Sequence, residues 1–175
     1  MKEFLVFAIS TLNFLISYSQ EKNFLLNRPL LSAVDSIEKV YKGEEFIPTF
    51  TISVSKDYFP NADKFDLATP LIFFRKGNTF STEMNYYFSL PDSTIRLISY
   101  SWDGNPKLSD ELNALFETNA DYFSEYFGHS GEIKNETHDT WAQKSLTWEN
   151  DIVHVYQFIV SGKNTNRVRV LISWK

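Results

Sequence analysis

The 175-residue chain contains no cysteine and only three histidines, six glycines and six prolines. Without cysteine there is no disulfide framework, no thiolate zinc site, no cysteine nucleophile and no acylated lipoprotein cysteine. None of the glycines stands in the GxGxxG or GxxxxGK spacing that lets a backbone cradle phosphates, so nucleotide chemistry has no signal and no cofactor is expected. Basic residues are outnumbered, 17 Lys and Arg against 22 Asp and Glu, for a formal net charge of −5. A general nucleic-acid binder needs the opposite balance. A long apolar run is also missing. What remains is 43% hydrophobic and 22% charged, the composition of a globular chain rather than a disordered or membrane-embedded one.

The N-terminus reads as an export leader. Lys2 precedes an apolar core, Phe4 to Ile16, and Ser17 and Ser19 fit the small positions of a cleavage site before Gln20. The core is broken by Ser10, Thr11 and Asn13 and is shorter than the ~20 apolar residues of a membrane span, so no transmembrane anchor is expected after cleavage. Residues 1–19 are therefore read as a signal peptide and 20–175 as one α+β domain, periplasmic or extracellular. The leader, the absence of Cys and the abundance of Phe, Asn and Lys resemble secreted proteins of AT-rich Gram-negative bacteria.

The periodicities place a helix over Pro29 to Lys42, with Leu30, Val34, Ile37 and Tyr41 on one face, Asn27 as cap and Gly43 as stop. Strands are predicted over Phe46 to Val54 and Leu71 to Lys76, separated by a long polar stretch, Ser55 to Pro70, of the kind that often carries function. Glu83 to Leu90 and Ile95 to Trp102 flank Pro91, Asp92 and Ser93 as a hairpin. A long helix follows Pro106: Leu108, Leu112, Leu115, Phe116, Tyr122, Phe123, Tyr126 and Phe127 recur at three- and four-residue spacing, and Gly128 stops it. A polar loop, Gly128 to Asp139, leads to strands at Thr140 to Trp148, Ile152 to Ser161 and Arg167 to Trp174. Strands joined by short turns exclude a βαβ sheet. The expectation is an antiparallel sheet of about six to seven strands with two helices packed on one face, in the order helix, four strands, helix, three-strand meander. The two helix-then-strands halves hint at a duplication, although no residue pattern repeats.

Chemistry-bearing residues are few. Gly128, His129, Ser130 and Gly131 fall one residue short of a GxSxG elbow and follow a helix instead of a strand, which reads as a helix stop. His129, Glu132, Glu136, His138 and Asp139 crowd one loop with ligand chemistry suited to a divalent cation, but in no established spacing. No metal site is assigned; His129, Glu132 and His138 are the candidates if there is one. His154 alternates with Ile152, Tyr156, Phe158 and Val160, on an apolar strand face that suits a structural histidine better than a general base. Asn119 falls in the middle of the long helix's apolar stripe, where its amide faces the sheet and needs a partner. Asp110, Glu117, Asp121 and Glu125 form an acidic ridge on the opposite side. Tyr86 and Tyr87 are neighbours in a strand, so one is expected at the surface, where aromatics suit sugar stacking or protein contact.

The leading expectation is an exported, non-enzymatic binding or assembly module. Its ligand, a protein, glycan or lipid-like molecule, would be held through Asn119, His154, Tyr86 and Tyr87. The alternatives are a small periplasmic hydrolase built on His154 or the His129 and His138 loop, and an inhibitor or immunity-type protein docking through the acidic ridge.

Overall fold

Each half of the chain supplies one helix and then four strands. The computed structural model describes residues 24–50, 52–60, 62–163 and 166–175; the leader expected over residues 1–19 lies outside the described residues. Helix α1 (Val34–Val40) precedes β1 (Glu44–Phe46), β2 (Leu71–Lys76), β3 (Ser81–Phe88) and β4 (Ile95–Gly104). Helix α2 (Ser109–Phe127) precedes β5 (Glu132–Thr137), β6 (Trp141–Glu149), β7 (Val153–Gly162) and β8 (Asn166–Trp174). All eight strands form one antiparallel sheet in the order β1-β2-β3-β4-β8-β7-β6-β5. The two four-stranded meanders meet at the β4–β8 pair, which runs from Leu97 opposite Ser173 to Gly104 opposite Asn166.

The α+β class agrees with the sequence, but the strand count rises from the expected six or seven to eight. The addition is β5, inside the stretch read as a polar loop. Its charged and amide side chains carry no apolar alternation, because β5 is an exposed edge held to β6 by backbone pairing rather than by burial. The strand expected over Phe46 to Val54 is much shorter. It ends at Phe46, two residues before Pro48, which has no N–H for a ladder, and leaves Ile47 and Phe50 exposed. The helix expected from Pro29 starts later, as a single 3-10 turn (Leu31–Ala33) without a side-chain cap, and Leu30 is exposed. The buried positions of α1 are Val34 and, against its chemistry, Glu38.

Alternation divides the sheet's side chains between two faces. On one face Met84, Ile98, Trp102, Val155, Val168, Val170 and Ile172 pack beneath Leu112, Leu115, Phe116 and Phe123 of α2. Each of those helix side chains contributes ~1.5–3 kcal/mol on burial, which makes α2 the main support of the core. The Asn105 side chain accepts from the Lys107 N–H just before α2, and Gly128, at φ 73°, closes the helix in the left-handed conformation. Tyr126, expected in the apolar stripe, is exposed, because the last turn runs past the packed surface. Phe24 closes this core beside Tyr100 and Phe123, with ring centroids 4.9 and 4.7 Å away. Among the described residues no helix is long and apolar enough to cross a membrane.

The second face is covered by the long segment after β1. Tyr58, Phe59, Phe65 and Leu67 pack on Tyr87, Leu97, Phe158 and Leu171. Tyr58 stacks on Phe158 at 4.9 Å and 15°. A stretch read as polar loop is thus an aromatic lid over half of a sheet face.

Candidate functional site

The four residues singled out from the sequence do not converge. Asn119 lies under α2, fully buried as expected, but among the described residues its Nδ2 has no hydrogen-bond partner. The Gln157 side chain of β7 donates from Nε2 to the Phe116 carbonyl of the same helix at 2.7 Å and leaves Oε1 unpartnered. Tyr86 and Tyr87 point to opposite faces, yet both are buried, which corrects the expectation that one is exposed. The reason is that both faces of β3 are covered, one by α1 and α2 and the other by the aromatic lid. The Tyr86 hydroxyl donates to Glu38 in a buried cluster, where the Glu38 carboxylate also takes two bonds from Arg75, from Nε at 2.9 Å and Nη2 at 2.7 Å. Burial and the adjacent Glu38 carboxylate push the Tyr86 phenol far above its ordinary range. Tyr86 is therefore committed to holding α1.

His154 sits half-buried on the second face, between Glu149 of β6 and Ser173 of β8 in direct cross-strand register. Burial lowers its pKa, partly offset by Glu149, while Lys175 lowers it further. A carboxylate, an imidazole and a hydroxyl thus stand in one row, but on interior strands whose backbone N–H groups are consumed by the ladders. Among the described residues no preorganised donors for an oxyanion surround them. Tyr87 shares this row three strand steps away, about 14 Å, so it does not act with His154.

The metal candidates also separate. Alternation along β5 puts Glu132 and Glu136 on the strand, Glu136 pairs with Lys134, His129 Nδ1 lies 2.9 Å from the Ser130 carbonyl, and His138 stacks on Trp141 at 3.9 Å. Among the described residues no group of three or more His, Asp or Glu is placed to hold a metal ion. The acidic ridge of α2 is interrupted from outside the helix, since Lys144 of β6 bonds Glu117 at 2.8 Å.

The site that sequence reasoning missed is on β8. Val168 and Val170 face α2, so Arg167 and Arg169 face the lid side. Arg167 pairs with Asp103 directly across the β4–β8 seam. Arg169 stands opposite Ser101 instead and makes no ion pair among the described residues; its Nε and the Ser101 Oγ are both buried without a partner. Glu83, one strand further, accepts a hydrogen bond at Oε1 from the Asn85 Nδ2 at 2.8 Å. Burial first, and then Arg167, lower the Arg169 pKa, with Tyr87 and Glu83 acting weakly against them. A guanidinium stays charged through such a shift.

Arg169 opens into a cavity of about 150 Å³ roofed by Ser53, Ser55 and Tyr58 and floored by Tyr87 and Ser99. Burial raises the Tyr87 phenol pKa, so its hydroxyl remains a neutral donor there. The cavity is smaller than the ~300–1,000 Å³ of a site that encloses a whole drug-sized ligand, and its volume is that of one small functional group. A planar guanidinium ringed by hydroxyls matches a carboxylate or similar small oxyanion. Tyr58 also lines a second, open groove of about 460 Å³, with Thr140, Trp141, Gln143 and Lys163. No protein-family model, curated protein or solved structure matches this chain.

The signal for this site was present in Arg167-Val168-Arg169-Val170. Two arginines on one face of a strand whose other face is core must find counter-charges on that face. Asp103 serves one of them.

Proposed function

We propose that the chain is an exported, non-enzymatic binding module of the bacterial envelope that captures the anionic group of its ligand in the pocket at Arg169. The observation that carries this reading is an uncompensated guanidinium, with a buried and unpartnered Nε, lining a hydroxyl-walled cavity in a chain of net charge −5. A half-buried guanidinium with an unpartnered Nε carries a desolvation cost, and a bound carboxylate relieves part of it. The apolar core and cleavage residues of the leader support export, and intact-mass measurement of the protein from a Gram-negative periplasm tests it: a mature chain starting at Gln20 is expected, and a retained Met1 overturns export.

Binding is tested by NMR, since an arginine Nε–H gives its own resonance. Titration of residues 20–175 with acetate and with phosphate is expected to shift the Arg169 Nε–H signal saturably, and Arg169→Gln to abolish the response. Absence of a saturable shift with either anion overturns the proposal.

A further inference from the structure

The two cavities lie on one sheet face and share Tyr58. Gln143 is two strands from Arg169 and two residues further along the sheet, because Arg169 pairs with Phe158, and Val160 pairs with Gln143. That offset places the groove about 12 Å from the pocket, the reach of a short oligomer of small rings. We propose that the ligand is an acidic saccharide, a uronic-acid-containing oligosaccharide, with one carboxylate on Arg169 and a neighbouring sugar ring in the groove at Tyr58 and Trp141. This inference rests on the anion pocket proposed above.

The groove's chemistry favours a sugar. Sugar rings present apolar C–H faces and a rim of hydroxyls, and the groove offers an indole, a phenol, a threonine hydroxyl, an amide and an ammonium. His138 covers one side of the Trp141 indole and holds the ring in place. An extended peptide with a terminal carboxylate fits less well, because it is held largely by main-chain hydrogen bonds to a sheet edge. This groove lies on interior strands β7 and β6, and the path from it to Arg169 crosses β7 to β8, all with backbone groups already paired. The pocket adds Ser53 and Ser99 as further hydroxyl-bearing partners for a polyol, while Ser55 is held by Asp57.

Trp141 also provides the readout. Of the four tryptophans, Trp102, Trp148 and Trp174 are buried, so a change in intrinsic fluorescence on binding reports mainly on Trp141. Titrations of residues 20–175 with a galacturonate trisaccharide, a neutral galactose trisaccharide and acetate separate the possibilities. The acidic trisaccharide is expected to bind at least about tenfold more tightly than either of the other probes. Trp141→Ala should lose about tenfold for that trisaccharide, followed by calorimetry, and leave acetate binding unchanged; Arg169→Gln should lose both. Arg169→Lys, which keeps the charge without the planar fork, replaces Arg169→Gln if the latter does not fold. An acidic trisaccharide that binds no better than acetate, or equally well to Trp141→Ala, overturns the saccharide reading while the anion pocket stands. Failure of acetate and acidic trisaccharide alike overturns both.

Discussion

Glu38 offers the sharpest test of how the first half of the chain is held together. Helix α1 has seven residues, too short to persist alone, and buries only Val34 and Glu38. Its docking therefore depends on the carboxylate, which meets Arg75 and Tyr86 while the Arg75 guanidinium lies 4.1 Å over the Tyr41 ring. The side chains of Glu38 and Arg75 are 1% and 12% exposed, against 65% and 74% for the neighbouring pair Glu44 and Lys76. An exposed pair of the latter kind is worth ~0–1 kcal/mol. Removing one partner of a buried pair costs ~3–5 kcal/mol, mostly because a charge is stranded. Glu38→Leu is accordingly expected to cost about 4 kcal/mol. The double variant Glu38→Leu/Arg75→Met strands no charge and should recover roughly half of that, the remainder being the Tyr86 hydroxyl left without its acceptor. Urea denaturation at pH 7 measures both, and hydrogen exchange on the α1 amides shows whether the loss is local. A cost below ~1 kcal/mol for Glu38→Leu, or a double variant no more stable than Glu38→Leu, would refute the account.

Three further outcomes follow from particular contacts. Asn119→Leu removes a buried amide nitrogen that has no partner and should stabilise the protein by about 1 kcal/mol in urea denaturation; destabilisation of that size would mean that the amide is bonded. Gly131→Ala places a Cβ 2.6 Å from Cε2 of the buried Trp148 ring, so a loss of ~1–3 kcal/mol is expected from overpacking, and an unchanged melting temperature contradicts it. Burial depresses the His154 pKa, so its stabilising contribution is complete above the unfolded value of about 6.5 and is lost as pH falls below it. Between pH 7.5 and 5.5 the wild type should therefore lose more stability than His154→Gln, and equal urea-midpoint shifts in the two proteins would show that the imidazole is not desolvated.

Periodicity made the fold class and both hairpin-rich halves legible, because α2 and strands β6 to β8 each carry a predominantly apolar stripe, interrupted only by single polar residues such as Asn119 and Gln157, that only one register buries. Elements without such a stripe were misread. β5 is an edge with every side chain at least partly in water, and β1 is three residues long, so neither contrasts with a loop. The lid was misread for the opposite reason: Tyr58, Phe59 and Phe65 are spaced irregularly among Asp, Asn and Lys, and only the folded chain shows that they share the surface of Phe158 and Leu171. Of the candidate residues, Tyr87 lines the pocket, whereas Glu38 and Arg169 escaped notice because charged residues on amphipathic elements are read as solvated. Their burial is decided by what lies across the sheet. Arg75 reaches Glu38 from β2, and Asp103 is aligned with Arg167 rather than with Arg169.

The β4–β8 seam also dictates an order of assembly. Every other strand pair joins neighbours along the chain, and apart from β1 and β2, which flank the long lid segment, these pairs close through short loops at small entropic cost. The seam joins the two meanders across the largest sequence separation in the sheet among the described residues, and its formation brings Arg167 to Asp103 and seats Arg169 opposite Ser101. Long-range pairing of this kind is slow, which makes seam closure the natural rate-limiting event of folding. Substitutions at Ile98, Tyr100, Val170 or Ile172 should then slow refolding, whereas substitutions within β6 or the β2–β3 hairpin should mainly speed unfolding. The cavity at Arg169, built across that seam, comes into existence only when this long-range pairing is made.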